Sequence, residues 1–281
     1  MSDVKIYVLH CGTITLDEKV AFGTKHPQLM KVKAQLTPER KRITLPNCAY
    51  LVASKSGLVL IDTGWSRDIS PNGVPDADAA TDFTSAFIWN LYHGHVGPGQ
   101  TAMEKLEAMG IRPEDLNCVL FTTLVAERCC AIRDFSERTR LIVAQEESFY
   151  SYRHGAFHAT YLYSDLPELE QYYFVGTMEG PAWRSLDLFE DGTFELISTP
   201  GHTKGTIAVK VHNKKGEYAL LTSDTAFTRR NVDNLEVPAF SNLNTMRLRS
   251  LEWLKQEAEK PQCKYVFAPH DPDIPEGVYE L

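Results

Sequence analysis

The chain lacks any apolar run that approaches the roughly 20 residues needed to cross a bilayer, so no membrane-spanning helix is expected. It has no low-complexity tract, no repeat of solenoid period and no long block of like charge, which argues against repeat arrays and charged tails. Cysteine is scarce: six in 281 residues is too few for a disulfide scaffold. The first residues, Met1-Ser2-Asp3-Val4-Lys5, carry no basic region followed by an apolar one. No signal peptide is therefore expected, and reduced thiols in a cytoplasmic protein are. Positive charge is also short. Lys and Arg number 29 against 37 Asp and Glu, a formal net charge of −8, so neither nucleic acid nor an anionic membrane is expected as a partner.

What remains is an ordinary globular composition, 43% apolar and 23% charged. Short runs rich in β-branched and aromatic residues recur between turn residues and read as strands: Lys5–His10, Ala49–Ser54, Leu58–Asp62, Cys118–Thr122, Arg140–Ala144, Phe194–Ser198, Gly205–His212, Glu217–Thr222 and Tyr265–Ala268. Lys55-Ser56-Gly57 is a three-residue hairpin link between two of them. Helical spacing predicts helices over Gly99–Met109, with Ala102, Leu106 and Met109 on one face, and over Met246–Glu259, with Leu248, Leu251, Leu254 and Ala258 in one stripe. The order of elements suggests two halves packed sheet on sheet with helices outside. The chain is expected to form one domain over 1–281. Two insertions are expected within it, near 68–99 and near 154–180, the second rich in Tyr and Phe.

Four short stretches end predicted strands, where rigid sheets let loops converge on a site: Asp62-Thr63-Gly64-Trp65, Pro200-Gly201-His202-Thr203, Ser223-Asp224-Thr225 and Pro269-His270-Asp271-Pro272. Two His and an Asp at three strand ends suit a metal ion. Each stretch alone also has a bland reading, a capped His in a turn or a helix N-cap.

Together, in this order, these stretches resemble the metallo-β-lactamase superfamily, most closely its N-acyl-homoserine lactonase branch. The resemblance begins at Tyr7-Val8-Leu9-His10-Cys11-Gly12-Thr13, passes through Ile111-Arg112-Pro113-Glu114-Asp115-Leu116, and ends at Pro269-His270-Asp271-Pro272. It implies a layered α+β fold, an αββα sandwich of two mixed sheets with helices outside. The family's first metal motif, His-x-His-x-Asp-His, is degenerate here and reads Thr123-Leu124-Val125-Ala126-Glu127-Arg128. Thr123 and Val125 stand where the family places two His, Glu127 where it places Asp, and Arg128 where it places the last His. Val has no lone pair to give, Thr is a poor zinc ligand, and Arg is always protonated. A dinuclear zinc site is therefore not expected.

Two accounts of this loss remain open. In the first, at most one divalent metal (Zn, Fe or Mn) is held by His202, Asp224, His270 and Glu127. The protein then hydrolyses a small ester, lactone or related acyl compound, with Glu127, Arg128 and Asp224 as catalytic residues and Arg128 stabilising an oxyanion or holding a substrate carboxylate. In the second, Arg128 takes the place of the cation and pairs with Glu127, Asp224 or a bound anion. The protein is then a metal-free pseudoenzyme for a small anionic ligand or a protein partner. The guanidinium is expected to point into the former metal pocket; the competing expectation is that it turns out to solvent and leaves room for a metal at His202, Asp224 and His270. Self-association into a homo-oligomer is open. Weaker candidates are His93 and His95 as substitute ligands, Cys129 or Cys130 as a nucleophile, and Asp62 as a carboxylate supporting the site from behind.

Overall fold

The computed structural model describes residues 3–23, 41–135, 138–153, 169–239 and 243–281. Among these residues, 14 strands form two mixed sheets. The first sheet is built from β1 (Lys5–Asp17), β2 (Arg42–Ser54), β3 (Gly57–Ile61), β4 (Tyr92–His95), β5 (Cys118–Phe121), β6 (Leu141–Ala144), β7 (Glu170–Tyr172) and β14 (Gly277–Glu280). Its order is β14-β1-β2-β3-β5-β6-β7. The second holds β8 (Val175–Gly176), β9 (Arg184–Asp187), β10 (Phe194–Ser198), β11 (Ile207–His212), β12 (Tyr218–Leu221) and β13 (Cys263–Phe267), in the order β13-β12-β11-β10-β9-β8.

The residue pattern explains the layering. Central strands are apolar on both faces, as strands covered on both sides must be. In β5, Cys118 and Leu120 face the space between the sheets, whereas Val119 and Phe121 face the helices; β6 repeats this with Ile142 and Ala144 against Leu141 and Val143. From the second sheet, Phe194, Leu196, Ile207, Val209 and Val211 complete the core between the sheets. Its other face is covered by Leu251 and Leu254 of the helix Asn244–Ala258 and by Val232. The outcome is helix, sheet, sheet, helix. No helix among the described residues is long and apolar enough to cross a membrane.

Two predicted features differ in detail. The helix expected over Gly99–Met109 runs Ala102–Ala108, because Thr101 caps it in a reciprocal box with Glu104. Met109 falls at its C-cap and is exposed rather than on the buried face. The segment 68–99 is not a simple surface loop. It carries the short helices Ala77–Ala80 and Ala86–Leu91 and then β4, which pairs with the second half of β1 through Thr13↔His95 and Leu16↔Tyr92. A register shift between His10 and Thr13 divides β1, so its first half pairs with β14 and its second half with β4. That pairing brings Tyr92 to the mouth of the site. Of the aromatic insertion near 154–180, Phe157, Tyr161 and Tyr163 lie outside the described residues. Tyr172 and Phe174 pack into the core between the sheets, not into a substrate cleft.

Candidate metal centre

The site forms where strands from both sheets end side by side. β5 runs into Thr122–Val125 and the short helix Ala126–Cys129, which presents Glu127 and Arg128 from successive positions. The loop after β10 supplies His202, the turn after β12 supplies Asp224, and the segment after β13 supplies His270.

Arg128 and Asp224 are fully buried. The Arg128 guanidinium donates from Nε to Asp224 Oδ2 at 3.1 Å, from Nη1 to the Cys48 carbonyl at 2.8 Å, and from Nη2 to His270 Nε2 at 2.7 Å. His270 Nδ1 lies 2.8 Å from the Pro46 carbonyl. A carbonyl only accepts, so this nitrogen carries the proton and Nε2 is the acceptor facing Arg128. Burial and the adjacent guanidinium both lower the His270 pKa, consistent with a neutral ring. Burial alone would raise the Asp224 pKa, but Arg128 and the neighbouring imidazoles hold it well below the usual carboxylate range. The Arg247 guanidinium supports the turn from beneath by donating to the main-chain carbonyls of Asp224 and Thr225.

Glu127, His202 and Asp224 form a second grouping. Their donor atoms lie within 4.8 Å of one another. Asp224 Oδ1 is buried and accepts no hydrogen bond among the described residues. Burial and the negative Asp224 push the Glu127 pKa up to about 7, outweighing the opposing pull of the nearby Arg128 guanidinium. Its Oε2 accepts from the Tyr92 hydroxyl at 3.0 Å, and its main-chain carbonyl accepts from Asn47. One imidazole and two carboxylates within this span, one with an unused buried oxygen, fit a single small divalent cation.

Three of the four expected ligands thus converge, while His270 departs from them because its Nε2 lone pair is engaged by Arg128. Arg128 lies inside, as expected, and its carboxylate partner is Asp224 rather than Glu127. The expected oxyanion or anion-binding role for Arg128 does not match this geometry. The residue is fully buried, does not line the cleft, and bonds to protein acceptors from all three nitrogens. His93 and His95 do not reach the site; His93 Nδ1 faces Arg42 and His95 Nε2 bonds the Gly73 carbonyl. Cys129 and Cys130 are buried, and burial raises both thiol pKa values far from a reactive range.

Asp62 accepts from the Thr122 main-chain N–H and hydroxyl, both at 2.8 Å, and so ties β3 to the strand end that carries the degenerate motif. Glu147 does the same from the helix Gln145–Arg153, accepting from Leu124 N–H and the Thr203 hydroxyl. Burial pushes both carboxyls up to about 7. A carboxyl whose folded pKa is raised contributes stability that is full below its unfolded pKa and lost as pH rises through the folded one. The thermal midpoint of chelator-treated protein is therefore expected to rise by about 3 °C as pH falls from about 8 to about 5.5. A midpoint that stays flat or falls in scanning calorimetry would mean that both groups ionise freely in the folded protein.

Above the cluster lies a narrow, partly open cleft. Its walls are Ile14 and Leu16 of β1 with Val20, Ile88, Leu91, Val125 and Phe227, while Tyr92, Glu127, His202 and Thr203 supply its polar atoms. Val125, expected from the sequence resemblance to stand in place of a metal-binding His, is part of the apolar wall. The sequence reading missed this use of Tyr92, which was visible only as an aromatic beside His93. It also missed Glu147 and Arg247, whose burial no local pattern signals.

The layered fold is the one seen in solved lactonases of metallo-β-lactamase type, which this chain resembles in architecture. No protein-family model matches it. In sequence it resembles N-acyl homoserine lactonases. It is 26% identical to the N-acyl homoserine lactonase AttM of Rhizobium radiobacter over 278 residues, covering 97% of this chain and 95% of that one. It is also 26% identical to an N-acyl homoserine lactonase of Bacillus cereus, covering 99% and 97%. A solved N-acyl homoserine lactone hydrolase, with N-hexanoyl-L-homoserine at its catalytic metal centre, superposes with a TM-score of 0.72 at 21% identity, covering 96% and 94%.

Proposed function

We propose that this protein hydrolyses a small acyl ester or lactone, as a single domain over 1–281 using one divalent metal held by Glu127, His202 and Asp224. The observation that carries the reading is the apolar cleft ending on these residues, with their donor atoms within 4.8 Å of one another. An apolar channel with a few convergent polar groups at its end suits an acyl chain joined to a polar head. The lactonase relatives, alike over nearly their whole length, support the same class of substrate.

The chemistry that one cation supplies at these residues is polarisation of the acyl carbonyl and acidification of water. The chain provides the surroundings. Ile14, Leu16, Ile88, Leu91 and Phe227 exclude bulk water from the acyl group. The Tyr92 hydroxyl donates to Glu127 Oε2 and fixes the direction of that carboxyl. Arg128 keeps Asp224 ionised and leaves its Oδ1 unspent.

Two measurements test the reading on protein purified without added metal. Elemental analysis is expected to give at most one divalent ion per chain, never two. Turnover of medium-chain acyl lactones and aryl esters is expected to be weak, well below that of a dinuclear relative assayed alongside, and to fall at least about 100-fold further in Glu127→Ala. No hydrolysis of any ester or lactone by metal-loaded protein, or two tightly held ions, would overturn it.

A further inference from the structure

The three acceptors around Arg128 come from three separate parts of the chain. Asp224 follows β12, His270 follows β13, and the Cys48 carbonyl belongs to β2. Their lone pairs converge on one point inside the protein, and the guanidinium fills that point. The Pro46 carbonyl fixes the His270 ring so that Nε2 is aimed there. Asp224 lies between two positions. Its Oδ2 is taken by the guanidinium, while Oδ1 accepts no hydrogen bond, lying near Glu127 and His202 and 3.5 Å from the unprotonated His270 Nε2.

We infer that Arg128 is a resident cation in a second, latent metal position formed by Asp224 and His270, and that this one side chain sets the metal capacity of the cluster. The exclusion has two physical parts. One lone pair on His270 Nε2 cannot serve both a metal and an N–H donor 2.7 Å away. A divalent ion at this position would also have to share the space the fixed positive charge already fills, with no further carboxylate between them, in a buried site that water screens poorly. The inference uses the one-metal reading above only to count ions; the latent position stands on the Arg128 geometry.

Arg128→His places an imidazole where the main chain already directs a side chain between Asp224 and His270, and it removes the fixed charge. Arg128→Lys keeps the charge. Each variant and the parent protein are loaded with zinc, freed of excess by gel filtration and analysed for zinc per chain. The expected result is one additional zinc per chain in Arg128→His relative to the parent, and no gain in Arg128→Lys. A folded Arg128→His protein with no additional zinc, or an equal gain in Arg128→Lys, overturns the inference. If Arg128→His does not fold, nitrogen NMR of histidine-labelled parent protein decides: zinc must leave the His270 Nε2 resonance unmoved, and a metal-induced shift there overturns it. A parent protein that binds no zinc counts against the one-metal reading, whereas the inference is decided by the increment between variants.

Discussion

Asp224→Ala is expected to destabilise the protein by about 3–5 kcal/mol, the usual cost of removing one partner from a buried ion pair. Arg128 is fully enclosed and cannot deprotonate, so loss of the carboxylate leaves a buried charge bonded only to the Cys48 carbonyl and His270, with Asp62 and Glu127 acting on it from further off. Asp224 also lies directly over Arg247, so the turn that carries it would be left with two buried guanidinium groups and no counter-charge in contact. Urea denaturation would read the loss. The double variant Asp224→Ala with Arg128→Met is expected to recover part of it, because removing both charges leaves no unpaired ion. An Asp224→Ala protein within about 1 kcal/mol of the parent, or a double variant less stable than the single one, would show that Arg128 does not depend on this pair.

Gly201→Ala is expected to cost about 3 kcal/mol or more and to abolish hydrolysis and metal retention together. Gly201 precedes His202 and has φ +154°, a region that side-chain-bearing residues rarely adopt. A Cβ built there would lie 2.3 Å from Arg247 Cα and 2.6 Å from Arg247 N. Those atoms are main chain of the helix Asn244–Ala258, so no side-chain rotation can relieve the overlap. Either the helix or the His202 loop must move. Displacing the loop withdraws His202 from Glu127 and Asp224. Displacing the helix withdraws the Arg247 guanidinium from the Asp224 and Thr225 carbonyls. Thermal unfolding and zinc retention after gel filtration would both register the change, and parent-like values in either would count against this account.

The layering was legible because it depends on short-range pattern. The two-faced apolar strands at 118–121 and 141–144 and the stripe of Leu251 and Leu254 each follow from the period of a strand or helix. The hairpin between β2 and β3 was also expected, but its link is the two residues Lys55-Ser56 rather than three, because Gly57 already pairs with Ser54. The short edge strands β7, β8 and β4 were not legible. Each is two to four residues long with mixed polarity, and each exists because a longer neighbour offers a free edge to pair with.

The sequence by itself determined the composition of the site. It carries no metal-binding His at 123, 125 or 128, it retains His202, Asp224 and His270, and it has an arginine that can never give up its charge. Those facts follow from the side-chain chemistry of single positions, and no fold could alter them. Only the tertiary structure decided how the retained groups divide. Glu127 and Arg128 are neighbours in the chain, yet Glu127 turns towards Tyr92 and the apolar cleft while Arg128 turns between Asp224 and His270. Successive residues of one helical turn point in different directions, and which direction meets a carboxylate depends on strand ends more than 90 residues away. That division, rather than the list of residues, leaves His202 beside one carboxylate pair and ties His270 to the guanidinium.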